Sequence, residues 1–235
     1  MNTSVENKVI EELRSLADPT YQAFQAKLVP NIDPNTVLGV RTPDLRKYAK
    51  NFAKTQPEKA RNFLQQLPHA YYEENNVHGE LIGHLAKTSE EAFKYLDEFL
   101  PFVDNWATCD LMRIPAFEKD LATTFRKIKE WLAAEPEYMV RFGVVQLMTL
   151  FLDDAFDPDH LHLIATVKRD EYYINMARAW YYSFALIKQP EVTIPFFEQR
   201  PIPIDEWTYN KSLQKARESR RIPPEQKAYF QSLKV

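Results

Sequence analysis

Residues 137–153, EYMVRFGVVQLMTLFLD, contain the longest apolar run of the chain and decide its fold class. The segment before it, residues 118–134, is amphipathic and charged, which is typical of a helix with one face in water. The same order returns in residues 157–169, which are amphipathic, and residues 172–188, which are apolar. This alternation indicates stacked helical hairpins, in which outer helices contact water and inner helices are enclosed by their neighbours.

The rest of the chain is also helical in pattern. Residues 5–17 carry apolar side chains at helical spacing, and Thr42-Pro43-Asp44 predicts a helix that the threonine caps and the proline begins. Prolines are predicted at helix beginnings and not inside helices, and no segment alternates with a period of two. We predict roughly twelve helices and no sheet. Further helix starts are predicted at or near Pro57, His69, Ser89, Asp104, Glu118, Glu137, Asp157, Asp170, Glu191, Asp205 and Pro223.

These patterns predict an all-α protein with the architecture of a HEAT-like α-solenoid. Its antiparallel helix pairs would stack into a curved superhelix with a concave groove, as a single domain over residues 1–235. Asp110, Arg141, Trp180 and Lys215 recur at intervals close to the length of one helical hairpin, which would place them along the concave surface. A coiled coil fits less well, because proline recurs too often for long heptads.

Composition excludes several classes of protein. With 4 glycines, the chain has neither a Rossmann motif nor a P-loop, and its single cysteine excludes a disulfide framework and a cysteine-based zinc site. The histidines form no H-E-x-x-H motif, and His160 with His162 is too little for a metal site, so we predict no metal and no cofactor. The acidic first residues and the short apolar run of residues 139–152 predict a cytoplasmic protein without a membrane partner.

Trp106 and Asp110 are the first candidate site residues. Their i, i+4 spacing places them on one face of a helix. A carboxylate beside an indole ring can stabilise a developing cation. The alternative is that Trp106 belongs to the core and Asp110 is an exposed or arginine-paired acid.

Arg141 and Trp180 stand out inside apolar helices. A buried guanidinium needs a partner, so Arg141 either forms an internal ion pair that ties adjacent hairpins or opens onto a groove, where it could hold a phosphate or an active carboxylate. Trp180 has small neighbours that would leave its ring exposed, but a core tryptophan is equally consistent with the sequence.

Two basic stretches could contact phosphates. Near the C-terminus, residues 210–221 contain Glu218 as their only acid. Asn210, Gln214, Arg217 and Arg221 of this stretch are predicted to share one helical face, which would suit phosphate contacts. A solvated basic helix is the alternative. The net charge of -3 excludes a general polycation but allows such a local basic face. The cations of this stretch are Lys211, Lys215, Arg217, Arg220 and Arg221, and those of the second are Arg41, Arg46, Lys47, Lys50 and Lys54.

Taken in order, these residues resemble a known family. Residues 38–46, LGVRTPDLR, then Asn105-Trp106 with Asp110, then Arg141, then Ala179-Trp180 are similar to the AlkD-type DNA alkylation repair proteins, over about residues 5–221. These are HEAT-like repeat DNA glycosylases. The motif L-G-x-x-T-P is specific only when the later residues follow in order.

The resemblance implies hydrolysis of the N-glycosidic bond of cationic N3- and N7-alkylpurines in double-stranded DNA, by a monomer that needs no cofactor. Asp110 would be the catalytic carboxylate, and Trp106 and Trp180 would contact the sugar and backbone at the lesion. Arg141 would hold a phosphate and orient Asp110. The DNA-binding residues would be Arg41, Thr42, Arg46, Lys211, Lys215, Arg217, Arg220 and Arg221.

The helix before the L-G-x-x-T-P motif departs from the family pattern. In active members it carries an aromatic that presses on the DNA, whereas here it begins near Tyr21, is short and is stopped by Pro30. Tyr21 and Phe24 are the aromatics that remain. The alternative function is therefore a non-catalytic DNA-binding or damage-sensing scaffold that has lost lesion recognition. A protein-interaction solenoid is a third possibility.

Overall fold

The computed structural model describes residues 5–235, and within that range it contains α-helices and three short 3-10 segments but no strand. The all-α class and the packing of neighbouring helices in pairs are confirmed, with fourteen described helices where about twelve are predicted. The helices are α1 (Val5–Ser15), α2 (Pro19–Leu28), α3 (Thr42–Thr55), α4 (Pro57–Leu64), α5 (Tyr72–Leu85), α6 (Ser89–Phe99), α7 (Trp106–Leu111), α8 (Leu121–Leu132), α9 (Glu137–Phe151), α10 (Asp159–Ala165), α11 (Tyr172–Lys188), α12 (Pro190–Glu198), α13 (Glu206–Glu218) and α14 (Pro224–Ser232).

The described helices fall into two compact units, one up to Thr124 and the other from Phe125 to Val235. The predicted single domain and concave groove stay predictions. None of the described helices has the length and apolarity that crossing a membrane requires.

In the first unit, α5 is the central helix. It packs between α3 and α7, and α4 and α6 pair with their neighbours around it. Eleven of its fourteen residues are buried, although its sequence, YEENNVHGELIGHL, is largely polar. A buried polar helix is stable only when its side chains find hydrogen-bond partners. In α5, Glu73 and Asn76 form such hydrogen bonds with other segments of the first unit.

In the second unit, α11 is the central helix. It packs between α9 and α13, and it pairs with α12, while α14 covers α13. The apolar segments that define the predicted hairpins form α9 and α11, and α11 has the predicted bounds. Gly143 lets α9 approach α8 closely, because a Cβ there would lie 3.2 Å from Trp131 Cβ.

Several predicted helix ends are wrong. Thr42 is not a cap, since α3 begins at Thr42 itself and Arg41 is the capping residue, without a side-chain bond. Pro195 lies inside α12, which loses the hydrogen bond that its missing N–H would donate. The predicted start at Glu118 falls in a 3-10 segment, and α8 begins at Leu121.

An ion pair between a buried arginine and a half-exposed aspartate holds α11 to the start of α13. The side chain of Arg178 is 2% exposed, and its guanidinium donates to the carboxylate of Asp205 at 2.7 Å and to the side chain of Asn175 at 2.8 Å. Asp205 also caps α13, because its carboxylate accepts the N–H of Thr208 at 2.8 Å. One carboxylate therefore serves both the helix start and the buried cation.

We predict that Asp205→Ala lowers the free energy of unfolding by about 2–3 kcal/mol, because it leaves the buried Arg178 charge without its half-exposed counter-ion and removes the cap of α13. Urea denaturation followed by circular dichroism measures the change. Asp153→Ala is the matched control, since it breaks the more exposed Lys188–Asp153 pair and should cost about 1 kcal/mol or less. Equal losses in the two variants would contradict this account.

Candidate functional site

The L-G-x-x-T-P motif is anchored by the buried carboxylate of Glu73. Glu73, on α5, accepts the backbone N–H of Leu38 at 2.8 Å, of Gly39 at 2.7 Å and of Val40 at 3.2 Å. Burial raises the pKa of this carboxyl, against the three N–H donors, which lower it by stabilising the ionised form. The motif is thus tied to the central helix just before α3 begins.

Gly39 occupies a position of the motif at which a residue with a side chain would be strained. Its φ is +92°, in the left-handed region, and a Cβ there would lie 2.6 Å from the carbonyl oxygen of Asp18. The carbonyl of Gly39 in turn accepts the N–H of Asp18 at 3.0 Å. The motif therefore lies directly against the beginning of α2.

Asp18 also holds Arg41. The Asp18 carboxylate caps α2 and accepts a hydrogen bond from the Arg41 guanidinium at 2.8 Å. That guanidinium lies over the ring of Tyr21, 4.8 Å from its centroid. The Arg41 hydrogen bond, followed by the N–H of Tyr21, lowers the pKa of Asp18. Arg41 is half-exposed, so its outer face remains open to a ligand.

A buried polar network positions α7, which carries Trp106 and Asp110. Asn105 caps the helix by accepting the N–H of Thr108 at 2.9 Å, and its amide donates to the Thr108 hydroxyl at 3.0 Å. That hydroxyl donates to Asn76 of α5 at 2.7 Å. All three side chains are buried, so the start of α7 is locked to α5.

Trp106 and Asp110 lie on one wall of a cavity of about 280 Å³. The Trp106 ring is itself held, because its indole N–H donates to the carbonyl of Leu28 at the end of α2, at 2.9 Å. The cavity brings together four residues predicted from the sequence and two tyrosines. These are Thr42, Arg46, Trp106 and Asp110 with Tyr21 and Tyr72.

A chain of hydrogen bonds also lines this cavity. The Tyr21 hydroxyl donates to the Gln25 amide oxygen at 3.2 Å, and the Gln25 amide donates to the Tyr72 hydroxyl at 3.0 Å. Burial raises the pKa of Tyr72 to about 12, which keeps that hydroxyl protonated. Phe24 is 55% exposed on the same short helix. The predicted aromatics of α2 are therefore divided, with Tyr21 in the cavity wall and Phe24 open to solvent.

In the second unit, Arg141 is buried between two inner helices. Its side chain lies on α9 and donates to the carbonyl oxygen of Tyr173, on α11, at 2.7 Å. Arg141 is also close enough to Lys215 of α13 to affect it. Burial lowers the pKa of Lys215, and the charges of Lys211 and Arg141 lower it further. Cations from α9 and α13 therefore lie within electrostatic range of one another.

Trp180 is partly buried on α11. Its ring packs edge-on against Phe184, with the centroids 6.0 Å apart, so part of the indole remains accessible. The structure thus places Arg141, Trp180 and Lys215 on the three helices α9, α11 and α13 of one layer.

Most of these candidate residues lie within a part of the chain that matches a known protein family. Residues 9–216 match the model of the DNA alkylation repair enzyme family, a range that contains the glycine motif, Asp110, Arg141 and Trp180. The chain belongs to this family. Neither the curated proteins nor the solved structures contain a significant match to it. The resemblance to AlkD-type proteins is therefore confirmed at the level of the family, and with it a function in DNA alkylation repair.

This DNA alkylation repair protein has a cluster of cations beside the small cavity. Arg46 lines that cavity and also an adjoining one of about 660 Å³, which Lys47, Lys50 and Arg113 share. Glu80 pairs with Arg46 at 2.9 Å. Arg113 has no basic neighbours in its own segment, so no pattern in the sequence marks it, and only folding brings it to the basic stretch of α3.

The C-terminal basic stretch of the repair protein differs from its prediction. Helix α13 ends at Glu218, so Arg221 does not share a helical face with Arg217. Asn210 and Gln214 have partners of their own, the backbone of Val235 and the side chain of Glu218. The side chains that stay accessible on α13 or beyond it are Lys211, Lys215, Arg217, Arg220 and Arg221.

His160 and Cys109 are structural residues of the protein. His160 is buried against Phe125 and Phe151, and Cys109 is fully buried on α7. A larger cavity of about 750 Å³ lies in the second unit, beside Arg178, and none of the residues predicted for catalysis or DNA binding lines it. Volume alone therefore does not select the site, and the residues at the smaller cavity do.

We predict that Glu73→Gln lowers the free energy of unfolding by about 2 kcal/mol, because either amide orientation turns an NH₂ group toward a backbone N–H. Hydrogen exchange should show faster exchange at Leu38, Gly39 and Val40. Glu98→Gln is the control, since Glu98 is exposed on α6. Unchanged protection of the three amides would show that the carboxylate does not hold the motif.

Proposed function

We propose that this protein hydrolyses the N-glycosidic bond of cationic N3- and N7-alkylpurines in double-stranded DNA, as a monomer without a cofactor. The observation that carries the proposal is that Asp110 and Trp106 line one cavity, together with Tyr21 and Arg46. An acid and aromatic rings fit the binding of a positively charged sugar intermediate, and the Arg46 cation beside them would contact a phosphate.

The chemistry asks little of the protein. Alkylation already gives the purine a positive charge, so it leaves without a proton from an acid. As the bond from C1′ to the purine nitrogen breaks, its electron pair goes to the base and the deoxyribose gains oxocarbenium character. The Asp110 carboxylate stabilises that charge and orients a water, whose oxygen bonds to C1′. The proton released from the water passes to Asp110 or to solvent.

Trp106 and Tyr21 would act as rigid walls for the sugar. The Trp106 indole is held by the Leu28 carbonyl, and Tyr21 is held by Gln25. Because the groups are positioned before DNA arrives, little conformational entropy is lost on binding. A cavity of about 280 Å³ suits a deoxyribose and an attacking water better than a complete flipped nucleotide. This supports excision with the base outside the pocket.

Cations of both units would bind the phosphate backbone. In the first unit, Arg46, Lys47, Lys50 and Arg113 surround one cavity next to Asp110. In the second unit, Trp180 and the basic side chains of α13 would contact the DNA backbone, and the buried Arg141 would contribute its positive charge to that surface. Arg41 and Thr42 would add contacts at the start of α3. Such contacts position DNA without reading its sequence.

The alternative, a DNA-binding scaffold without catalysis, is favoured by one observation. Helix α2 contains only ten residues, Pro19–Leu28, and the chain turns away from it before Pro30. A shorter helix presents less surface to press on a damaged base pair. In that case, the basic surfaces would still bind DNA and no base would be released.

We predict that the purified protein releases N7-methylguanine and N3-methyladenine from methylated duplex DNA, and that Asp110→Asn slows release at least about 100-fold by removing the negative charge. Chromatography of the released bases measures both rates. Asp44→Asn, exposed on α3 and outside the cavity, is the matched control and should retain full activity.

Two results would reject the glycosylase. One is the absence of base release above background from any methylated substrate. The other is equal release by the wild type and Asp110→Asn. Duplex binding that persists without release would instead support the scaffold.

A second prediction tests the basic cavity. Lys50→Glu combined with Arg113→Glu should weaken duplex binding and reduce the slope of log K against log salt by about 2, because two phosphate contacts are lost. Fluorescence anisotropy over a range of salt concentrations measures the slope. Lys59→Glu with Lys94→Glu changes the charge equally at exposed positions on α4 and α6, and an equal effect there would refute a localised binding surface.

A further inference from the structure

We propose that Glu6, His69 and Glu74 form a binding site for one divalent transition-metal cation of the Zn²⁺ type. The site lies in the first unit, where the first turn of α1 meets the first turn of α5 and the segment before it. It is separate from the cavity of Asp110 and does not depend on the proposed glycosylase activity.

The spacing of the three side chains fits a metal. One ligand atom from each residue, two carboxylate oxygens and a ring nitrogen, lies within 4.8 Å of the other two. Ligands at about 2.1 Å from a zinc ion are about 3.4 Å apart in a tetrahedral site and at most about 4.2 Å apart. Small side-chain rotations would therefore close this set around an ion.

Two buried atoms at the site lack a hydrogen-bond partner. They are Oε1 of Glu74 and Nδ1 of His69. The Glu74 side chain is fully buried, and its other oxygen accepts the N–H of Tyr71 at 3.0 Å. An unsatisfied buried carboxylate oxygen is costly, and it is rarer still beside an unsatisfied imidazole nitrogen. A cation would satisfy both atoms at once.

The other ring nitrogen of His69 has the hydrogen-bond partner that a metal-bound histidine usually has. Its Nε2 lies 2.8 Å from Nδ1 of His78, so His69 can donate there and keep the lone pair of Nδ1 directed at the site. His78 is itself buried and stacks on Phe99, with the ring centroids 4.0 Å apart.

The charge of the site also favours a divalent cation. Two carboxylates and a neutral imidazole would together neutralise a 2+ ion. The mixture of one nitrogen and two oxygens favours Zn²⁺ over Mg²⁺, which prefers an all-oxygen octahedron.

The bound ion would clamp α1 to the start of α5. Arg14 already links the two segments, since its guanidinium donates to the Tyr71 hydroxyl at 2.7 Å and lies over that ring. The residues that follow Tyr71 are Tyr72, which lines the Asp110 cavity, and Glu73, which holds the glycine motif. A metal here would stabilise the helix start on which both depend, without touching the substrate.

Equilibrium dialysis of the untagged, chelator-treated full-length chain against Zn²⁺ tests the site. We expect one Zn²⁺ per chain, a raised melting temperature, and at least a tenfold loss of affinity in Glu6→Gln and in His69→Gln. Glu11→Gln, exposed on the same helix, is the matched control and should bind as the wild type does. Co²⁺ in place of Zn²⁺ should give a visible absorption band that Glu6→Gln abolishes.

Three results would overturn the proposal. They are no retained Zn²⁺, equal Zn²⁺ binding by the wild type and both variants, and equal affinity for Mg²⁺, which would deny His69 its role. Circular dichroism checks that each variant is folded. Because Glu6 is only partly buried at the start of α1, Glu6→Gln tests the site even if His69→Gln does not fold.

Discussion

The arrangement of the first unit depends on one buried carboxylate. Glu73 accepts three successive backbone N–H groups of the glycine motif, and this joins the central helix α5 to the start of α3. Through Gly39 the same motif contacts the beginning of α2. Helix α5 also holds α7 through Asn76. The three helices that line the cavity, α2, α3 and α7, are therefore all positioned by contacts that start from α5. A site built on one rigid element keeps its geometry more exactly than one assembled from loops.

The two units use opposite means to bury their central helices. Helix α11 is enclosed by apolar contacts and one arginine–aspartate pair, whereas α5 is enclosed by hydrogen bonds between polar side chains. Apolar packing tolerates substitutions of similar volume, but a buried polar network fails when one member is removed. The first unit, which carries Asp110, is therefore the more specifically determined of the two.

This difference explains how much the sequence could predict. The apolar runs of α9 and α11 stand out as inner helices, and the i, i+4 spacing of Trp106 and Asp110 places both on α7 at one cavity. The start of α5 is predicted near His69, but its burial escapes prediction because the helix is polar. The roles of Glu73 and Tyr72 escape prediction for the same reason. Gln25 and Arg113 carry no local pattern, and Glu6 meets His69 and Glu74 only through the packing of α1. Contacts between distant segments that involve single polar residues leave no periodicity to detect.

The hydrogen bond from the Trp106 indole to Leu28 has a consequence for selectivity. Leu28 is the last residue of α2, and its carbonyl belongs to the group that a helix end leaves unpaired. Trp106 is the first residue of α7, and its ring satisfies the last carbonyl of α2. A change of its rotamer would leave the Leu28 carbonyl without a hydrogen-bond donor. A molecule that binds here meets a fixed surface. Under the proposed function, binding at this wall would depend on how readily the DNA bends, so that flexible duplexes would bind more easily than stiff ones.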